Sequence, residues 1–222
     1  MRGELRKMAV FDLDGTLADT WADTRHAMQL YLSGAGMSPL IVDQLGPEAV
    51  GMTAAQLLAS CGLAAGELEV SQFREHLSAV TGSYLRVADG TPDLLAALKS
   101  TGWHLGVATN KPDALAARVL GVSGLAHWFD AVHGGTTCAL KPDPEQIFKC
   151  LGGIPTTRAV MVGDSQADAL SAVAADLACC FWVGGPRDHD LGARVRVVAS
   201  IADLSTARLE ECLEVRRLRT HG

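Results

Sequence analysis

No stretch of the chain approaches the roughly 18 uninterrupted apolar residues that a membrane-spanning helix needs, so no membrane partner is expected. Cationic surface is scarce too. The formal charge is -6 at pH 7, and the basic cluster of Arg216, Arg217 and Arg219 sits at the C-terminal end, where a frayed, solvated tail is expected. Nucleic acid is therefore not expected as a partner. Residues 1–7 are short and charged, unlike a secretory leader with its apolar centre. The six cysteines, Cys61, Cys138, Cys150, Cys179, Cys180 and Cys212, contain no C-x-x-C pair. They read as small buried hydrophobes in a reducing cytoplasm, which is the expected location. None of the seven histidines pairs with another at metal-ligand spacing, and His26, His76 and His127 read as surface or rim residues. Internal repeats and low-complexity segments are absent.

What is present is the composition of a soluble globular protein, with 48% apolar residues dominated by Ala, Leu, Val and Gly. At 222 residues the chain has room for one α/β core and a modest insertion. A short apolar run at 8–11 has strand character and stops abruptly at Asp12-Leu13-Asp14-Gly15-Thr16. From about 19 to 86 the pattern is helical and no strand pattern interrupts it. Val70, Phe73, Leu77, Val80 and Tyr84 fall on one stripe, Trp21, Met28 and Leu32 on another, and glycines and prolines divide the segment into roughly four short helices. Beyond Gly90 strands and helices alternate. Helices are expected at 92–100, 113–120, 145–151 and 167–174, and strands at 103–108, 129–133, 159–162, 179–183 and 195–198.

Repeated βα units with continuously apolar strands predict an α/β fold: a Rossmann-like parallel sheet covered on both faces. Residues 1–18 and 87–222 are expected to form this core, and 19–86 an inserted all-helical cap domain. Ligands of such sheets bind beyond the carboxyl ends of the strands. Those ends deliver Asp12 and Asp14, then Thr109 and Asn110, then Lys141, then Asp164, Ser165 and Asp168. Such a set supplies what phosphoryl transfer requires: a nucleophile, an acid/base, a cation and hydrogen-bond donors. Carboxylates gathered at one sheet edge repel one another unless a divalent cation and Lys141 compensate them. Magnesium suits oxygen ligands and keeps positions for water and phosphate.

These residues fall in motifs, FDLDGT at 11–16, ATNKP at 108–112, KPDP at 141–144 and GDSQAD at 163–168. In that order and spacing the chain resembles the haloacid dehalogenase-like hydrolase superfamily, in its helical-cap branch. The resemblance implies a Mg2+-dependent phosphatase in which Asp12 attacks phosphorus, Asp14 serves as acid and then base, Thr109 holds a phosphoryl oxygen and Lys141 neutralises the phosphoryl group. By the same resemblance Asp12, Asp14 through its backbone carbonyl, Asp164 and Asp168 form the metal site, and Asn110 and Ser165 are candidate phosphate ligands. Asp14 also sets the chain apart from the carbon–halogen hydrolases, which lack that second acid. Lys111 reads as a solvated loop cation. The TNKP segment and general layout are similar to phosphoglycolate phosphatases, so a small phosphorylated metabolite is the expected partner, with Arg25 of the cap as the candidate for its carboxylate. In two places the pattern departs: Ala88-Asp89-Gly90 stands at the return from cap to core, and Leu140 precedes the KPDP lysine where a basic residue is common. The loop 46–51 is expected to dip over the substrate, with hinges near Ala18 and Ala88. Pyrophosphate hydrolysis shares every core residue. A sugar phosphomutase would carry a cap histidine where Thr24 stands, and a non-catalytic scaffold would have lost an acid or the lysine. A monomer or a homodimer is compatible with these residues.

Overall fold

A computed structural model describes residues 6–46, 49, 52–186, 188 and 190–219. Strand β1 (Lys7–Phe11) leads through a tight loop into β2 (Ala18–Asp19). Helices α1 (Trp21–Gly34), α2 (Ala54–Ser60) and α3 (Glu67–Val80) follow, with a 3-10 turn at Pro39–Gln44, and β3 (Arg86–Val87) returns the chain. The remainder alternates as α4 (Thr91–Ser100), β4 (Trp103–Ala108), α5 (Asp113–Val122), β5 (Ala131–His133), α6 (Glu145–Leu151), β6 (Ala159–Gly163), α7 (Gln166–Ala174), β7 (Cys179–Val183), β8 (Val195–Val198) and α8 (Thr206–Arg219).

Six strands form one sheet in the order β5-β4-β1-β6-β7-β8, every pairing parallel. Residues alternate between its faces, as a pleated strand demands. Ala9, Phe11, Leu105, Val107, Val160, Val162 and Phe181 share a core with Leu94, Leu98, Leu209 and Leu213 of α4 and α8. Met8, Val10, Met161 and Cys180 turn the other way onto Ile147, Leu151, Ala169 and Ala172 of α6 and α7. Burial on both faces explains why the strands read as unbroken apolar runs. The helical segment packs around its own cluster, including Ala27, Met28, Leu32, Leu58 and Phe73.

Several elements differ from the sequence reading. A two-residue antiparallel ribbon, Ala18–Asp19 on Arg86–Val87, ties the two ends of the helical segment together; so short a strand carries no periodicity to detect. Tyr84 leaves the α3 stripe. Gly82 turns the chain at φ 96°, and the buried Asp23 carboxylate accepts the N–H groups of Gly82 and Tyr84, both at 2.7 Å. Helix geometry therefore ends at Val80, and Tyr84 is exposed, its ring edge-on to His26. Arg216 belongs to α8 and pairs with Asp176 at 2.5 Å instead of fraying. Of the cysteines, Cys138 is not buried and lies 3.4 Å from the Lys149 ammonium. Within the expected lid loop, Pro47, Glu48, Val50 and Gly51 lie outside the described residues.

Candidate active site

The strand order builds the site. Because β1 lies between β4 and β6, with Phe11 level with Val107 on one side and Val162 on the other, the residues just past the three strands converge. The Asp12 N–H donates to the Val162 carbonyl at 2.9 Å, so the sheet register extends to the first acid. Thr109 leaves β4 and Asp164 leaves β6 at the same edge.

Lys141 arrives from the loop after β5. Its ammonium donates to Asp12 Oδ1 at 2.5 Å, Asp168 Oδ1 at 2.6 Å and the Ala108 carbonyl at 2.8 Å, which uses all of its donors. The loop is held by Asn110, whose Oδ1 accepts the Lys141 N–H at 2.7 Å while Nδ2 donates to the Lys141 carbonyl at 3.2 Å. Asn110 therefore engages both ends of its amide with the Lys141 backbone while also lining the cavity described below. Ser165 is likewise committed. It caps α7, its hydroxyl accepting the Asp168 N–H and donating to Asp168 Oδ2 at 2.6 Å. Both carboxylate oxygens of Asp168 thus have protein partners, Lys141 on one and Ser165 on the other.

Gly15 is required by the second acid-bearing loop. It adopts φ 83°, and a Cβ there would lie 2.1 Å from Asp164 Oδ2. The neighbouring Thr16 hydroxyl donates to Asp164 Oδ1 at 3.2 Å, and the Trp182 indole N–H donates to the Asp164 backbone carbonyl at 2.8 Å. Asp12, Asp164 and Asp168 each present a carboxylate oxygen, all within 4.8 Å of one another.

This charge arrangement is unbalanced. Burial pushes the Asp12 pKa well up, and the charges of Asp168, Asp164 and Asp14 add to the rise against the opposing pull of Lys141. Burial, then Asp168, pushes Asp164 up to about 6. Burial alone would lower the Lys141 pKa, but Asp12 and Asp168 outweigh it and hold the ammonium protonated. A hard divalent cation fits this set: oxygen donors, close spacing and a surplus of negative charge that one lysine leaves uncompensated.

Asp14 has partners the sequence did not reveal. The Thr20 hydroxyl donates to its Oδ1, and the Lys111 ammonium lies 3.1 Å from the same oxygen. Lys111 is not a solvated loop cation, since its side chain is only 10% exposed. Its loop folds over the sheet edge because the Lys111 N–H donates to Thr109 Oγ1 at 3.1 Å.

A cavity of about 590 Å³ separates these loops from the helical segment. Asp12, Asp14, Thr109, Asn110, Lys111, Lys141, Asp164 and Ser165 line it from the core, and Trp21, Thr24, Ala49, Met52, Gln56 and Arg74 from the helices. Arg25 does not line it. Its guanidinium is paired with Asp43 on the outer side of α1, half-exposed, whereas Arg74 on α3 lines the cavity. No described helix is long and apolar enough to cross a membrane.

Known proteins agree with this architecture. The chain is 34% identical over 180 residues to the phosphoglycolate phosphatase of Agrobacterium fabrum, covering 76% of each chain. It is 34% identical over 189 residues to that of Neisseria meningitidis, covering 78% of this chain and 77% of the relative. Among solved structures, CbbY from Rhodobacter sphaeroides in complex with phosphate shares the fold with a TM-score of 0.75 at 22% identity, over 92% of this chain and 99% of that one. The β-phosphoglucomutase of Clostridium difficile matches with a TM-score of 0.75 at 18% identity, over 96% of this chain and 99% of its own. The model of the haloacid dehalogenase-like hydrolases matches residues 9–182, and the chain belongs to that family.

Proposed function

We propose that this hydrolase is a magnesium-dependent phosphatase acting on a small, phosphoglycolate-like monoester through a phosphoryl group carried transiently on Asp12. The observation that carries the reading is the placement of Asp12: buried, 2.5 Å from the Lys141 ammonium, and clustered with Asp164 in the lining of a cavity. In the first half-reaction a carboxylate oxygen of Asp12 bonds to phosphorus, the bridging P–O bond breaks, and Asp14 gives its proton to the departing oxygen. In the second, Asp14 takes a proton from water, the water oxygen bonds to phosphorus, and the bond to Asp12 breaks, releasing phosphate and restoring both acids.

Asp12, Asp164 and the Asp14 backbone carbonyl would hold Mg2+, which when bound supplies positive charge to the phosphoryl oxygens. Lys141 contributes fixed positive charge beside Asp12, and Asp168, with both oxygens engaged, keeps that lysine in place. Thr109, buried at the end of β4 and lining the cavity, would donate its hydroxyl proton to a phosphoryl oxygen. The helical segment closes the cavity and restricts water, moving on the ribbon formed by Ala18 and Val87. Water is favoured as the final acceptor because Thr24, on the cap wall, carries no ring nitrogen with which to activate a second sugar hydroxyl.

Turnover of a panel containing phosphoglycolate, other phosphate esters and pyrophosphate tests this reading. Chelation of divalent cations is expected to abolish activity, and Asp12→Asn to lower kcat by at least about three orders of magnitude. Metal-independent hydrolysis, or an Asp12→Asn variant that retains kcat, would contradict it.

A further inference from the structure

Asp14 is held by one oxygen only. Lys111 and Thr20 both engage Oδ1, and Oδ2 has no hydrogen-bond partner among the described residues. The ion pair is not a remote structural one, since Lys111 and Asp14 both line the cavity and an incoming ligand meets them together. In an ester of glycolate the carboxylate carbon is two bonds from the bridging oxygen that Asp14 must protonate. Bringing that oxygen to Asp14 therefore brings the carboxylate to the cation on Asp14. The Lys111 ammonium carries three rotatable donors, so it can pass from Asp14 Oδ1 to that carboxylate.

We propose that Lys111 reads a carboxylate on the substrate, and that its transfer from Asp14 to that carboxylate frees Asp14 to turn toward the bridging oxygen. Resting on the phosphatase reading above, this inference names the substrate class as phosphate esters bearing an anionic group next to the ester carbon. Lys111 is then both a binding residue and a positioning residue for Asp14. An ester lacking the anion leaves Lys111 on Asp14, so discrimination appears in kcat as well as in KM. Arg74 faces the same cavity from α3 and has no carboxylate partner among the described residues. It does not touch Asp14, so an anion read by Arg74 alone would be felt in KM with no link to the acid.

The test is steady-state kinetics of the full chain with Mg2+ on 2-phosphoglycolate, ethyl phosphate and p-nitrophenyl phosphate, whose phenolate departs without a proton. The parent is compared with Lys111→Met, Lys111→Arg and Arg74→Met. The parent is expected to favour phosphoglycolate over ethyl phosphate at least about 100-fold in kcat/KM. Lys111→Met should cut that preference below about tenfold, with kcat on phosphoglycolate falling and p-nitrophenyl phosphate losing far less, while Lys111→Arg restores most of the preference. The inference is overturned if Lys111→Met slows all three substrates by one common factor, if Arg74→Met alone removes the preference, or if the parent has no preference. Failure of the underlying reading looks different: p-nitrophenyl phosphate turnover would then survive Asp12→Asn. Should Lys111→Met not fold, Lys111→Gln gives the same comparison with a neutral polar side chain.

Discussion

Magnesium should stabilise this protein more at about pH 7.5 than at about pH 5, and the acid cluster gives the size of the difference. In the metal-free fold Asp164 is pushed up to about 6 from an ordinary 3.8 by burial and by Asp168. The sign follows from linkage: a carboxyl whose pKa rises on folding favours the folded state at low pH, and that contribution disappears as pH rises through about 6. Between about pH 5 and pH 7.5 the metal-free protein loses on the order of 1 kcal/mol from this group. A bound dication displaces the proton, so saturating Mg2+ recovers the loss. At roughly 2–4 °C per kcal/mol for a chain of this size, the Mg2+-induced rise in Tm should be larger by a few degrees at the higher pH. Burial and like charges also raise Asp12, which acts in the same direction. Thermal unfolding with and without Mg2+ at both pH values measures the effect, and Asp164→Asn supplies the reference in which it should shrink to the part that Asp12 contributes. An equal Mg2+ response at both pH values, or a full response in Asp164→Asn, would contradict a proton on Asp164 that competes with the metal.

Other perturbations follow from the same contacts. Lys141→Met leaves Asp12 and Asp168 buried without their cation and should destabilise the metal-free protein by about 3–5 kcal/mol, read by urea unfolding, with Mg2+ offsetting part of the loss. Gly15→Ala puts a methyl 2.1 Å from Asp164 Oδ2 at φ 83°; calorimetric titration should show weakened Mg2+ binding, while Gly102→Ala, where φ is 77° and no atom lies near, should bind Mg2+ normally.

Much of the site was legible because strand order does most of the assembly. Asp12 follows an apolar run that ends in acid, and the strands preceding Thr109 and Asp164 flank it in the sheet. What the sequence hid depends on side-chain direction. Trp21 and Thr24 face the cavity from α1, and Arg25, one residue on, is rotated about 100° around the helix axis, which carries it to Asp43. A helical period places residues on a common stripe without saying which stripe looks inward. Lys111 follows a strand end, where lysines are commonly solvated; its contact with Asp14 depends on how two loops meet across the sheet edge. Asn110 and Ser165 line the cavity, and both also serve neighbouring backbone and carboxylate groups, a second task that polar residues at strand ends commonly carry. The α3 stripe ran on to Tyr84 because Gly82 interrupts the backbone without interrupting the apolar spacing.

The proposed reaction requires phosphate to be carried by a side-chain carboxylate. Turnover of phosphoglycolate quenched rapidly in acid, followed by borohydride reduction and peptide mass spectrometry, tests it most directly. The prediction is conversion of residue 12 to homoserine, dependent on substrate and absent from Asp12→Asn. An unmodified Asp12 during rapid turnover, or reduction at a different carboxylate, would contradict it.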